Sequence, residues 1–306
     1  MSRKIVLIGG GTGLIGERLA ELLADAGHAP RILTRSPGER TSPHPLYGWD
    51  AEANFVDPDA LDGATHVVNL AGAGIADARW TKARKATIVA SRVDTTRLLA
   101  AAVERHRPKT LRAFVSASAI GYYGDAGERW VGEGAEPGDG FLSESTVAWE
   151  AAVEEAGRRT GLRTVLVRTG IALSPDGGAL EKMLLPARFG LSGYFGDGRQ
   201  WYSWIHLDDL CRVYLAALDD ERYEGPINAV APVPVRNRTL AKALAEAVGN
   251  PALAVPVPAF ALRLALGEMS HTVLDSTRVS SSRLVDDLGF DFAYPTVGGA
   301  LGELLR

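Results

Sequence analysis

The chain has 306 residues, with 33 lysines and arginines against 37 aspartates and glutamates, for a formal net charge of −4. That balance, with no basic block, excludes nucleic acid as an expected partner. Cys211 is the one cysteine, so no internal disulfide can form; a reducing, cytoplasmic compartment is expected, with Cys211 as a small core residue. The N-terminus enters a strand without an apolar leader segment, and no run approaches the ~18 apolar residues of a membrane span, so a soluble protein is expected.

Strand-like and helix-like stretches alternate through the first half. KIVLIGG is a short apolar, β-branched run, and LIGERLAELLADAG has helical apolar spacing that stops at Gly27. PRILTRS reads as a second strand, LYGWD as a third and THVVNLAGA as a fourth. A long helix over KARKATIVASRVDTTRLLAAAVERH is ended by Pro108. LRAFVSASAIGYYG is a fifth strand, ESTVAWEAAVEEAGRRTG a helix, and RTVLVRTGIAL a sixth strand. Val-, Ile- and Leu-rich strands separated by helices predict an α/β Rossmann fold, a doubly wound parallel sheet with helices on both faces.

From Ser174 the rhythm changes to glycine-rich, aromatic sequence, and PALAVPVPAFALRLALG reads as a loop followed by a buried or half-buried helix. The expected division is a Rossmann domain over 1–173, to which 225–245 returns through the strand GPINAVA. A small, discontinuous C-terminal substrate domain takes 174–224 and 246–306, with ligand between the two.

The first connection, GGGTGLIG, satisfies G-x-G-x-x-G at Gly11, Gly13 and Gly16, and the wider G-x-x-G-x-x-G at Gly10, Gly13 and Gly16. It follows a strand and opens a helix, as pyrophosphate binding requires: a tight turn, a close backbone approach at Gly13, and helix packed on strand at Gly16. The second strand ends in Thr34-Arg35-Ser36, with no carboxylate to bond the ribose 2′-hydroxyl of NAD. Arg35, helped by Arg40, instead suits a 2′-phosphate, so NADP(H) is expected over NAD(H).

GGTGLIG, NLAG, SASAIGYYG, LVRTGIALS and WIHLDDL together resemble the extended short-chain dehydrogenase/reductases, the nucleotide-sugar epimerase and dehydratase superfamily. LAGAGIADARWTKARK, DGGALEKMLLPARFGLSGYFGDGRQWYSWIHLDDL and RVSSSRLVDDLGFDFAYPTVGGAL narrow the resemblance to its atypical epimerase-like oxidoreductases, which carry a short C-terminal domain of their own. The resemblance implies bound NADP(H), a small-molecule substrate and, by analogy, a homodimer through a helix pair. It places Gly10, Thr12, Gly13, Leu14 and Ile15 on the pyrophosphate and Arg35 on the adenosine phosphate. Leu70, Ala71 and Gly72 would flank adenosine and ribose; Ser116, Ala117 and Ser118 would lie beside the nicotinamide, with Arg168, Thr169, Gly170 and Ile171 on its far side.

The superfamily moves the proton with a tyrosine and a lysine four residues later, the lysine lowering a phenol pKa ordinarily near 10. This sequence contains no Tyr-x-x-x-Lys. Aligning Glu150 with the glutamate that follows that lysine puts Leu142 and Thr146 in the two places. Ser118 remains as a substrate-holding serine or a backbone-bonded one, and Tyr122 as a substitute acid, whereas Tyr123 reads as part of a structural Tyr-Gly turn. Asp77, Arg79 and Trp80 form a polar-aromatic cluster, read as a substrate-carboxylate clamp or a buried ion pair, with Asp77 a further catalytic candidate. Arg199 is a substrate-anion candidate; His206 is a core histidine or a general acid, ahead of Asp208 and Asp209 at a helix start. The scattered histidines offer no metal-ligand spacing, so no metal is expected.

The two readings left open are an NADP(H)-dependent oxidoreductase with a non-standard proton donor and a catalytically silent NADP(H)-binding sensor or interaction module.

Overall fold

A computed structural model of the protein describes residues 3–248 and 253–306. Strand β1 (Ile5–Gly9) runs into helix α1 (Leu14–Asp25), whose buried Gly16, Leu19, Ala20 and Leu23 lie at helical spacing; the helix stops before Gly27, at φ +80°. Next come β2 (Ala29–Thr34), β3 (Leu46–Asp50), β4 (Phe55–Val56) and β5 (His66–Asn69). Helix α2 (Lys82–His106) is capped by the Thr81 hydroxyl, which accepts from the Arg84 N–H at 3.1 Å, and ends at left-handed Arg107 before Pro108. Strand β6 (Ala113–Ala119), the short β7 (Trp130–Val131), α3 (Phe141–Thr160) and β8 (Arg163–Thr169) complete the first half.

The chain then breaks at Gly170. A side chain there would meet the Ser203 carbonyl oxygen at 2.7 Å, so the backbone bends and β9 (Ile171–Ser174) leaves the main sheet. Helix α4 (Gly178–Arg188), β10 (Leu191–Phe195), β11 (Trp201–Tyr202) and β12 (Trp204–His206) follow, with β12 pairing in parallel with β9. The expected single sixth strand is therefore two strands in two sheets. Helix α5 (Leu207–Asp219) and β13 (Gly225–Ala229) return the chain to the main sheet.

The main sheet has eight strands in the order β13-β8-β6-β5-β1-β2-β3-β4. All its pairs are parallel except β3 with β4. Alternation sorts its side chains to two faces. Val6, Ile8, Val68 and Val115 meet α1 and α5 through Leu19, Leu23, Leu210 and Tyr214. Leu7, Val67 and Phe114 meet α2 and α3 through Leu98, Leu99, Trp149 and Val153. The sheet and its two helical layers are those of a Rossmann fold.

The remaining elements are β14 (Val235–Arg236), α6 (Asn237–Ala247), β15 (Leu253–Val257), α7 (Ala259–Leu266), α8 (His271–Leu274), β16 (Arg278–Val279) and α9 (Val297–Leu304). Leu180, Leu184, Trp204, Leu240, Leu244 and Leu301 form a separate core for the smaller part. Its boundary differs from the expected one: α5 belongs to the sheet's core, and α6 belongs to the smaller part. The proline-rich stretch expected as a loop supplies β15, paired in parallel with β10; Pro251 and Ala252 lie outside the described residues. Helix α7 has no buried residue, and Phe260 and Leu264 are 73% and 79% exposed. No described helix is long and apolar enough to cross a membrane.

One core residue makes a testable electrostatic statement. His66, on central strand β5, is buried beside Thr65 Oγ1 at 2.9 Å, and burial first, then Lys4 and Arg163, pull its pKa down to about 4. Folded His66 stays neutral where the unfolded chain would protonate it near 6.5, so stability falls as pH drops from about 7 toward 4. The loss is about 3 kcal/mol across that window. Urea unfolding of wild type and His66→Gln at several pH values checks this: the variant's profile is flatter, and parallel profiles would refute the assignment.

Candidate functional site

The β1–α1 connection is built by close contacts. Gly10 adopts φ +76°, and a side chain on it would meet the Leu70 and Ala71 backbone at 2.7 and 2.8 Å. A side chain on Gly16 would meet the Gly10 carbonyl oxygen at 2.4 Å. Gly13 is different. It caps α1 at φ −99° without a side-chain bond, and the nearest atom to an added Cβ is the Gly10 oxygen, at 3.5 Å. The protein itself does not need glycine there, whereas a ligand approaching the bare helix N-terminus would.

Around this loop the expected contacts assemble in part. Leu14 lies against Gly177 and Gly178, so the turn into α4 closes over the loop, while Ile15 packs its side chain on the sheet's core. Arg35 is exposed at the end of β2 and has no partner among the described residues. A recess of about 310 Å³ next to the loop is lined by Gly11, Thr12, Arg40, Ser42 and His44, with Glu17 and Glu21 of α1 on its wall; Arg35 is not part of its lining. His44 Nε2 is enclosed there without a partner among the described residues. Ser42 and His44 escaped the sequence reading because the β2–β3 loop carries no motif. Leu70 and Ala71 close the other side; the Leu70 N–H bonds to the Gly9 carbonyl at 2.8 Å and the Ala71 N–H to Asn69 Oδ1 at 3.2 Å. Gly72 lies against the Arg92 guanidinium.

The expected chemistry side is rearranged. Ser116 is fully buried and donates to the Ala117 carbonyl at 2.9 Å, and Ala117 lies in the α2–α3 core, so neither offers a side chain to a ligand. Ser118 donates to Glu150 Oε1 at 2.5 Å and is 3% exposed, so its hydroxyl is already committed. Arg168 grips Glu150 through Nε and Nη2 at 2.8 and 2.7 Å, and its Nη1 donates to the Tyr123 hydroxyl at 2.9 Å. Tyr123 in turn donates to Asn228 Oδ1 at 2.7 Å, and burial pushes its phenol up to about 12. Ser118, Arg168 and Tyr123 are thus members of one buried network. Gly170 is a packing glycine, Thr169 donates to the Val167 carbonyl at 3.2 Å, and Ile171 packs with the smaller part's core.

Tyr122 is the group left over. Its ring lies on the Arg168 guanidinium, 3.6 Å from the centroid, and its hydroxyl has no hydrogen-bond partner among the described residues. Leu142 and Thr146 lie against the preceding residue, Gly121, at 3.3 and 3.7 Å from an added Cβ. The Thr146 hydroxyl bonds back to the Leu142 carbonyl at 2.7 Å.

The polar-aromatic cluster does not converge. Asp77, with its side chain 66% exposed, pairs with Arg84 at 3.1 Å. Arg79 donates to the Leu264 carbonyl at 3.2 Å, and Trp80 donates to the Ile75 carbonyl at 2.8 Å while its ring meets Phe141 edge-on. Three adjacent residues thus serve three separate contacts, and the loop they form is pinned to α7. Arg199 is exposed; its carbonyl accepts from Arg236, whose guanidinium pairs with Glu128. His206 is 2% exposed: Nδ1 accepts from the Asp208 N–H at 3.0 Å as the α5 cap, Nε2 meets Glu303 at 2.9 Å, and the ring stacks on Tyr294. It holds α5 to α9 and is not poised as an acid. Asp209 receives the Ala293 and Tyr294 N–H groups, and Asp208 pairs with Arg18. Among the described residues no cluster of histidine, cysteine and carboxylate could hold a metal ion.

Residues 6–229 match the NAD dependent epimerase/dehydratase family, and residues 257–304 match a domain of unknown function. The Mycobacterium tuberculosis epimerase family protein MT2273 is 38% identical over 99% of this chain and 98% of its own length. The chloroplastic SDR39U1 homolog of Arabidopsis thaliana is 35% identical over 100% of this chain and 88% of its own length. The crystal structure of human epimerase family protein SDR39U1 with NADPH superposes with a TM-score of 0.86 at 31% identity, covering 98% of this chain and 99% of that one. With the family match spanning most of the Rossmann part and the relatives spanning nearly the whole chain, this protein belongs to the NAD dependent epimerase/dehydratase family.

Proposed function

We propose that the chain binds NADP(H) along the carboxyl ends of β1, β2 and β5 and works as an oxidoreductase of the epimerase type on a small polar substrate. The observation that carries this reading is the bare N-terminus of α1 at Gly13, where the protein leaves room and the helix offers unpaired N–H groups and partial positive charge to a pyrophosphate. Arg40 in the recess and the exposed Arg35 at the end of β2 are the cations on offer for a 2′-phosphate, and the human relative's crystal structure contains NADPH. When bound, the nicotinamide supplies or accepts hydride. The chain's own part is to hold the cofactor, close the turn at Gly177 over it, and move a proton at the Tyr122 hydroxyl. A single cysteine, buried and with its thiol pushed up by burial, suits the cytoplasm.

A silent NADP(H)-binding module is the second reading. It is favoured by the pair that lies against Gly121: Leu142 cannot move a proton, and the Thr146 hydroxyl is turned onto its own helix.

Titration with NADPH and NADH, following energy transfer from tryptophan, tests the shared step; Trp49 lies within contact of Gly9 and is a suitable donor. Arg35→Glu is expected to weaken NADPH at least tenfold more than NADH, since it replaces a cation facing a dianion with a like charge. Equal losses for both would remove the 2′-phosphate assignment. NADPH consumption across a panel of carbonyl compounds then separates the two readings. Turnover that Tyr122→Phe abolishes supports the enzyme; tight binding without turnover supports the module.

A further inference from the structure

Arg92 is a desolvated cation without a counter-charge. It leaves α2 beneath Gly72, where an added Cβ would lie 3.1 Å from its Cζ, and its guanidinium faces the Trp149 ring at 5.1 Å. Nη1 donates to the Ala73 and Ile88 carbonyls at 3.0 and 2.9 Å. No carboxylate pairs with it among the described residues. Burial first, and the like charge of Arg84 second, bring its pKa down to about 10. Arg84 is itself paired with Asp77, so that carboxylate is already engaged.

Arg168 gives the internal comparison. Its Nε–Nη2 edge holds both oxygens of Glu150. The same edge of Arg92 is open: neither atom has a partner among the described residues, and both reach solvent. Pinning the Gly72–Ala73 backbone uses Nη1 alone. Most of the guanidinium is buried without a counter-charge, which is costly, and its one edge open to solvent is where an anion could offset that cost. The place is also a ligand's place, just beyond the carboxyl end of β5, in the crevice that open α/β sheets use.

We propose that Arg92 is the anion-binding residue of this crevice, its Nε–Nη2 edge taking a phosphate or carboxylate from a molecule bound beyond β5. The proposal rests on the reading that the crevice holds NADP(H). Two molecules could bring such an oxyanion, the cofactor with its pyrophosphate and a substrate with an acidic group. The role expected of Arg79 and Arg199 thereby passes to a residue that no motif marks.

The experiment uses the full chain, with Arg92→Gln and Arg92→Lys beside wild type. NADPH is titrated first; oxalate and inorganic phosphate are then titrated calorimetrically into the NADPH-saturated protein. If the anion is the cofactor's, NADPH binds Arg92→Gln about tenfold or more weakly, and Arg92→Lys recovers part of the loss. If it is the substrate's, NADPH affinity is unchanged, while oxalate or phosphate binds the wild-type complex and is lost in Arg92→Gln. Should Arg92→Gln not fold, Arg92→Lys carries both measurements, because an ammonium keeps the charge without the bidentate edge. Variants that match wild type in both titrations, or differ only in melting temperature, overturn the proposal and leave Arg92 a loop pin. Wild type that binds no NADPH overturns the cofactor reading first, and this proposal with it.

Discussion

Gly13→Val is expected to weaken NADPH binding at least a hundredfold while leaving the chain folded. At φ −99° and ψ 170° the backbone is extended, a conformation that a β-branched residue accepts, and the nearest atom to an added Cβ is 3.5 Å away. The cost to the helix start is about 1 kcal/mol, the ordinary difference between a good and a poor N-cap. The cost to binding is larger, because the branched side chain would occupy the space above the α1 N–H groups. A hundredfold loss corresponds to about 2.7 kcal/mol. Gly16→Val supplies the contrast. Its Cβ would fall 2.4 Å from the Gly10 oxygen and 2.5 Å from the Gly11 Cα, so helix and strand separate and stability falls along with binding. Thermal melts and NADPH titrations of the two variants distinguish the cases. Normal NADPH binding by Gly13→Val would show that no pyrophosphate lies over this helix end, and the proposed function would lose its carrying observation.

The difference between those two glycines was legible in the sequence, because each belongs to a local pattern with its own mechanism. The same holds for β1, β2 and β5, short apolar runs covered on both faces of the sheet, and for the apolar face of α1, whose 3.6-residue period reports directly on burial. What escaped are side chains whose roles are set by partners far along the chain. Ser118 looks free at the end of a strand until Glu150, 32 residues later, takes its hydroxyl. His206 resembles an acid until Glu303, 97 residues later, closes on it. Asp77, Arg79 and Trp80 misled for the opposite reason. Adjacency in an irregular loop implies no common direction, and the three point to Arg84, Leu264 and Ile75. Arg92 escaped because a polar residue on a long helix reads as solvated; only the fold shows Gly72 lying over it. Gly170 shows the limit for backbone as well, since its need is set by the carbonyl of Ser203, which lies between β11 and β12.

Glu150→Ala is the substitution expected to cost most stability, about 3–5 kcal/mol. It removes the carboxylate held between Ser118 and Arg168 and leaves a guanidinium, 4% exposed, without its counter-charge. Burial by itself would lower the Arg168 pKa, and the hydrogen bonds and charge of Glu150 outweigh that. With Glu150 gone the guanidinium is still too basic to lose its proton near neutral pH, so the cation has no ready route to neutrality. The damage would spread through the network, since Arg168 also orients the Tyr123 hydroxyl toward Asn228 and carries the Tyr122 ring. Four elements meet there: α3 with Glu150, β6 with Ser118, β8 with Arg168 and β13 with Asn228. A melting temperature roughly 6–15 °C below wild type is the expected reading for a chain of this size. Replacing both partners with methionine should cost less than Glu150→Ala alone, because an apolar pair leaves no unpaired charge behind. If the double variant instead loses as much as the sum of the single ones, the two residues contribute independently. The network would then be a set of separate contacts, and Tyr122 would owe its position to the turn after β6 rather than to Arg168.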